Sequence, residues 1–153
     1  MLVRLFILSL CLVLSTGVSG AWQLSSLEKD AMEKVQQRKY RDARKLAEKA
    51  LNKPPGIVAR YVLSVVQSDN EGNLPRALFL LNEAKSRLGG VEDLSQPTDL
   101  GKKWHRKLLL HELGILGHLD RRAEQLALID DYERYHEPKI TDCLLYTSPS
   151  PRD

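Results

Sequence analysis

Cysteine is almost missing from this chain. Of the two present, Cys11 sits in an apolar run near the N-terminus and Cys143 in the last eleven residues, so positions 21–142 contain none. That excludes a disulfide framework over this stretch, and its fold must be held by its core. Strand signals are missing as well: between residues 24 and 135 no segment alternates apolar and polar residues in the manner of a half-buried strand. The glycine pairs lack the spacing of a phosphate-cradling loop, and no Ser/His/Asp or Cys/His set can be argued as a nucleophile. No catalytic residue and no cofactor is therefore expected. A dominant charge is also absent. From 23 basic and 20 acidic side chains, setting aside Arg4, Arg152 and Asp153 leaves 21 against 19, a net of +2. Without Lys and Arg gathered on one face, nucleic acid is not an expected partner.

What the chain does contain is 42% apolar and 28% charged residues over 153 positions, the profile of one soluble globular domain. Its one long apolar run, residues 5–14, follows Arg4 and is broken by small residues at 15–20, including Val18 and Gly20 at plausible cleavage positions. The run is shorter than the ~20 residues that span a bilayer. Residues 1–20 thus read as a secretory signal peptide, with an uncleaved anchor as the rival and no membrane span left after cleavage. A lipid-modified Cys11 fits poorly, because Leu10 precedes it where a small residue is normal. The expected location is the secretory pathway: periplasmic or extracellular in a bacterium, endoplasmic reticulum lumen or secreted in a eukaryote.

From residue 24 onward, helical spacing covers almost everything. Leu24, Leu27, Ala31 and Val35 form one stripe; Tyr40, Ala43, Ala47 and Ala50 form the next, stopped by Pro54 and Pro55. A third segment, GIVARYVLSVVQ, is apolar nearly all round and should be buried on more than one side. Asn73 is a natural N-cap for the fourth, with Pro75 in its first turn and Gly89-Gly90 as its stop. After a turn-rich loop at 89–101, Trp104, Leu108, Leu109, Leu113 and Leu116 give the fifth helix its apolar side. Asp120 should cap the sixth, whose buried face would run through Leu119, Ala123, Leu126 and Ile129 before Pro138 closes it. Short turns imply antiparallel hairpins, pairing 24–52, 56–88 and 102–136 within a domain at 22–138.

A shift of 34 residues lays Ala43 on Ala77, Leu46 on Leu80 and Ala50 on Ala84. Alanines at these points let helix axes approach toward the ~8 Å end of the packing range. The run Tyr40, Ala43, Ala50, Leu51 and Pro55, followed one period later by Gly72, Leu74, Ala77 and Ala84, resembles the second helix of a tetratricopeptide repeat. Arg38 stands where that family commonly has Gly, the first helices lack its Trp-Leu-Gly signature, and the third pair fits only with an insertion in the 89–101 loop. The resemblance implies an all-α fold, a short right-handed α-solenoid of about three helix pairs. It further implies a concave face lined by the first helix of each pair: Glu28, Met32 and Gln36, then Val62, Val66 and Asn70, then Lys107 and His111. Such a groove takes an extended peptide or a partner helix.

HELGILGH, residues 111–118, invites comparison with zinc peptidases, which place two histidines four apart on one helix face. Here the second is seven residues on, a rise of ~10 Å. His111, Glu112 and His118 are therefore read as ordinary helix residues, with no metal site. Trp104 is read as core and Tyr132 and Tyr135 as helix packing; the KKW and DRR clusters are read as solvated helix ends.

The tail, CLLYTSPSPRD, back-translates into DNA similar in every codon to a transposon-end adapter used in sequencing libraries, whose first base would complete the Asp142 codon. Residues 143–153 are accordingly expected to be adapter-derived and the natural chain to continue past Asp142. The leading reading is an exported protein- or peptide-binding scaffold; the alternative is the N-terminal helical domain of a secreted enzyme whose catalytic domain lies downstream.

Overall fold

Local chemistry decides where each helix starts. In this computed structural model, residues 22–136 are described; the signal-like run, Pro138 and the tail lie outside the described residues. Helix α1, Ser26–Gln36, opens with a capping box: the Glu28 N–H donates to the Ser25 hydroxyl, and the Ser25 N–H donates back to the Glu28 carboxylate. Arg38, at φ 57, turns the chain into α2, Tyr40–Leu51. Gly56, at φ 62, starts α3, Ile57–Val65, whose end widens into a π-helical turn at Val66–Asn70. Asn73 caps α4, Leu74–Gly89, as expected: its side chain accepts from the Arg76 N–H at 3.1 Å, and Pro75 occupies the first turn.

Helix α5, Asp99–His118, begins three residues before Lys102, because the Thr98 hydroxyl accepts from the Gly101 N–H. The loop before it is tied down by Glu92. Its carboxylate accepts from the Thr98 N–H, the Thr98 hydroxyl and the Trp22 indole, the last at 2.7 Å. Burial raises the Glu92 pKa, but these donors outweigh it and hold the carboxyl below its ordinary value. Gly101 is required here, since a Cβ at that position would lie 2.6 Å from Glu92 Oε2. Helix α6, Arg122–Tyr135, starts without a side-chain cap; Asp120 instead takes φ 53 in the turn.

The described residues are all-α, with six α-helices and no strand. Consecutive helices pack on one another, and α1 also reaches α3. Ala31, Ala43, Ala47, Ala50, Ala59, Ala77 and Ala84 have no exposure, so the alanine stripes do lie at helix contacts. Helix α3 is buried on several sides, and Trp104, Leu108, Leu109, Leu113 and Leu116 face the core as expected.

The face of α6 is a correction. Leu128 and Tyr132 are buried, whereas Ala123 is exposed and Leu126 is 64% exposed. The Gln125 amide donates to the Leu113 carbonyl at 3.1 Å, against Gly117, where a Cβ would sit 2.8 Å from that amide nitrogen. A polar side chain thus occupies the α5–α6 contact and rotates Leu126 outward.

Candidate binding face

Helices α1, α3 and α5 are linked by specific contacts. The Ala59 N–H on α3 donates to Glu28 Oε1 on α1 at 3.4 Å. Tyr61 on α3 meets Trp104 and His111 on α5 edge-on, each at 5.5 Å between ring centroids. Lys107 lies over both aromatic rings, 5.2 Å from Trp104 and 5.8 Å from Tyr61.

The residues expected to line one groove do not gather there. Val62 and Val66 are core residues with 0% and 1% exposure, and Glu28, at 4%, is spent on the cap of α1 and the Ala59 N–H. These three offer no open surface. Met32, Lys107 and His111 are half-buried; Gln36 and Asn70 are exposed. Lys107 and His111 flank Tyr61, while Asn70 opens into a separate cleft of about 570 Å³ beside Arg38, Lys39, Arg41 and Arg44. Tyr61 was missed. In a helix apolar on every side, hydropathy does not say which stripe faces outward; the structure does, through half-buried Arg60, Tyr61 and Ser68.

Around Tyr61 the titration of each group follows its surroundings. Burial, then Asp69, pushes the Tyr61 hydroxyl above its ordinary value. Burial lowers the His111 pKa, opposed by Asp69 and a hydrogen bond to the Ser64 carbonyl. Burial, then Lys103, lowers Lys107. Ser68, Asp69 and His111 stand close, which calls for a test of their order. The Ser68 hydroxyl lies 2.6 Å from Asp69 Oδ1 and 3.1 Å from the Val65 carbonyl, but 3.5 Å from His111 Nε2. A nucleophile needs its proton directed at the base and the base oriented by the acid. Here the Ser68 hydroxyl is directed at Asp69 and the Val65 carbonyl rather than at His111, so this order does not activate Ser68.

A second cleft, of about 740 Å³, runs between α5 and α6, with Lys102, Lys103, Arg106 and Lys107 on one side and Tyr132 and His136 on the other. His105 Nδ1 and His136 Nε2 are 3.0 Å apart beneath it. Burial, reinforced by His105, Arg106 and Lys102, holds the His136 pKa down to about 4. Lys102 and Lys103 are exposed near the start of α5, as expected of a solvated helix end, and the i, i+4 spacing puts Arg106 and Lys107 on the same face. His118 is exposed at the end of α5, away from half-buried His111, and Glu112 pairs with Lys85. Among the described residues no three His, Cys, Asp or Glu side chains are grouped to hold a metal ion. No described helix is long and apolar enough to cross a membrane. Compared with known proteins, the chain matches no family model, no curated protein and no solved structure.

Proposed function

We propose that this chain is an exported scaffold that binds proteins or peptides on the side formed by α1, α3 and α5. The observation that carries the reading is the continuity of that side: Glu28 joins α1 to α3, and Tyr61 joins α3 to Trp104 and His111 of α5. Met32, Tyr61, Lys107 and His111 remain partly open along it, a mixture of apolar, aromatic and cationic groups suited to a peptide. A tetratricopeptide-like solenoid is the architecture this reading assumes. Complete burial of Ala43 and Ala50, and of Ala77 and Ala84 one 34-residue period later, supports it. Export rests on the signal-like residues 1–20.

A defined array of extended and helical peptides, probed with the full chain, tests the binding. Peptides should be retained, and Met32→Ala or Tyr61→Ala in a still-helical protein should weaken retention by about tenfold, the effect of losing one central anchor. No retention of any peptide, or retention indifferent to both substitutions, would refute the scaffold.

A further inference from the structure

We propose that the cleft between α5 and α6 binds the side-chain carboxylates of an acidic peptide segment. The proposal rests on the peptide-binding reading above and assigns the partner's chemistry. Lys102, Lys103, Arg106 and Lys107 fall at i, i+1, i+4 and i+5, so one face of α5 presents all four to a single opening. Asp99 is the one carboxylate in the lining. Among the described residues none of the four cations makes an ion pair, whereas cations that bridge other elements are matched: Arg44 with Glu71, Arg60 with Glu83, Lys85 with Glu112.

Like charges are therefore crowded where, among the described residues, Asp99 is the one carboxylate in the lining and only Lys107 also meets aromatic rings. Lys103 lowers the pKa of Lys107, and Arg106 and Lys102 add to the burial that keeps His136 neutral. A carboxylate entering the cleft relieves that repulsion and gains charge-assisted hydrogen bonds. Dimensions favour a peptide over a nucleic acid. The basic face extends ~8 Å along the helix, from the 1.5 Å rise per residue. That matches two or three side-chain carboxylates but falls short of a phosphate track. Tyr132, Leu110 and the neutral His136 give the cleft apolar and aromatic walls against which a peptide's stem atoms can pack.

Fluorescence polarisation with the full chain decides the matter. Labelled glutamate-rich, glycine/serine-rich and lysine-rich peptides of equal length would be compared at about 0.15 M salt, where distant charges are screened. The glutamate-rich peptide should bind in preference. Lys103→Glu with Arg106→Glu should weaken it by about tenfold or more, while Lys39→Glu with Arg41→Glu, an equal charge change in the other basic cleft, should alter it by no more than about twofold. Saturating peptide should also raise the His136 pKa in an NMR titration. If the double reversal impairs folding, Lys103→Gln with Arg106→Gln should show the same direction of loss.

Equal losses in both charge variants, no preference for glutamate, or displacement of the peptide from this cleft by RNA or anionic vesicles at lower concentration would overturn the assignment. Retention of neutral peptides through Tyr61, with no glutamate preference, overturns only this proposal. Failure of every peptide to bind removes the scaffold reading with it.

Discussion

Helix α3 with its π turn, residues 57–70, and helix α6, residues 122–135, occupy equal lengths of chain but live in different surroundings. The first packs on α1, α2 and α4; the second packs principally on α5. Ile57, Val58, Ala59 and Val62 are without exposure, whereas α6 buries only Leu128 and Tyr132 and turns Leu126 to solvent. Burial here follows the number of neighbours a helix has. A helix with partners on three sides needs apolar groups all round, while one with a single partner needs a stripe.

The sharpest way to break this comparison is to truncate both helices. Ile57→Ala should cost about 2–5 kcal/mol, the range for opening a cavity in a packed core. Leu126→Ala should stay within about 0.5 kcal/mol, as for an exposed site. Chemical denaturation of both variants checks it, and a comparable loss at Leu126 would mean that α6 is covered. Overpacking gives the next effect. Ala50→Leu, at a position with no exposure, should cost about 1–3 kcal/mol, and Ala123→Leu, on the open face of α6, next to nothing.

The same contrast explains what was legible in the sequence. Alanine spacing identified the tight contacts and Asn73 identified the start of α4, because each signal is carried by one residue type with one physical use. The rotation of α3 was not legible, since Val62 and Tyr61 compete on equal hydropathic terms. Only the presence of a neighbour over Val62 decides between them. The face of α6 was misassigned because a hydrophobic count gives no weight to Gln125, whose amide finds the Leu113 carbonyl beside Gly117. The α5 basic face was obscured by Trp104 and His105, which interrupt it in sequence but point elsewhere in space.

Acid should separate the two regions next. His105 and His136, at the α5–α6 seam, and His111, on α5 where it meets Tyr61 of α3, all have lowered pKa values in the folded chain, His136 down to about 4. The unfolded chain takes up protons at these sites near pH 6.5. Stability should thus be at its full value above about pH 6.5 and fall as pH drops toward 4, where His136 finally charges. Hydrogen exchange should show α6 losing protection before α3, because two of the three histidines act at its seam. His136→Gln should flatten the dependence.

The turns offer a smaller contrast. Arg38, between α1 and α2, and Asp120, between α5 and α6, both sit in the left-handed region. A long side chain is disfavoured there, whereas Asp tolerates it. Arg38→Gly should raise stability by up to about 1 kcal/mol, with less gain from Asp120→Gly, once the greater freedom of glycine in the unfolded chain is subtracted. Equal gains in thermal denaturation would show that the two turns carry the same strain.

The smallest effect tests a buried hydroxyl in α3. Ser64 has no exposure, and its hydroxyl has no hydrogen-bond partner among the described residues. Folding strips that hydroxyl of water without replacement, so Ser64→Ala should be neutral or stabilising by up to about 1 kcal/mol. His111 bonds to the Ser64 backbone carbonyl, which alanine retains, so its pKa should not move in an NMR titration. A loss of stability instead would place a bound water or another donor against the hydroxyl. The interior of α3 would then be wetter than that of a helix with three dry neighbours.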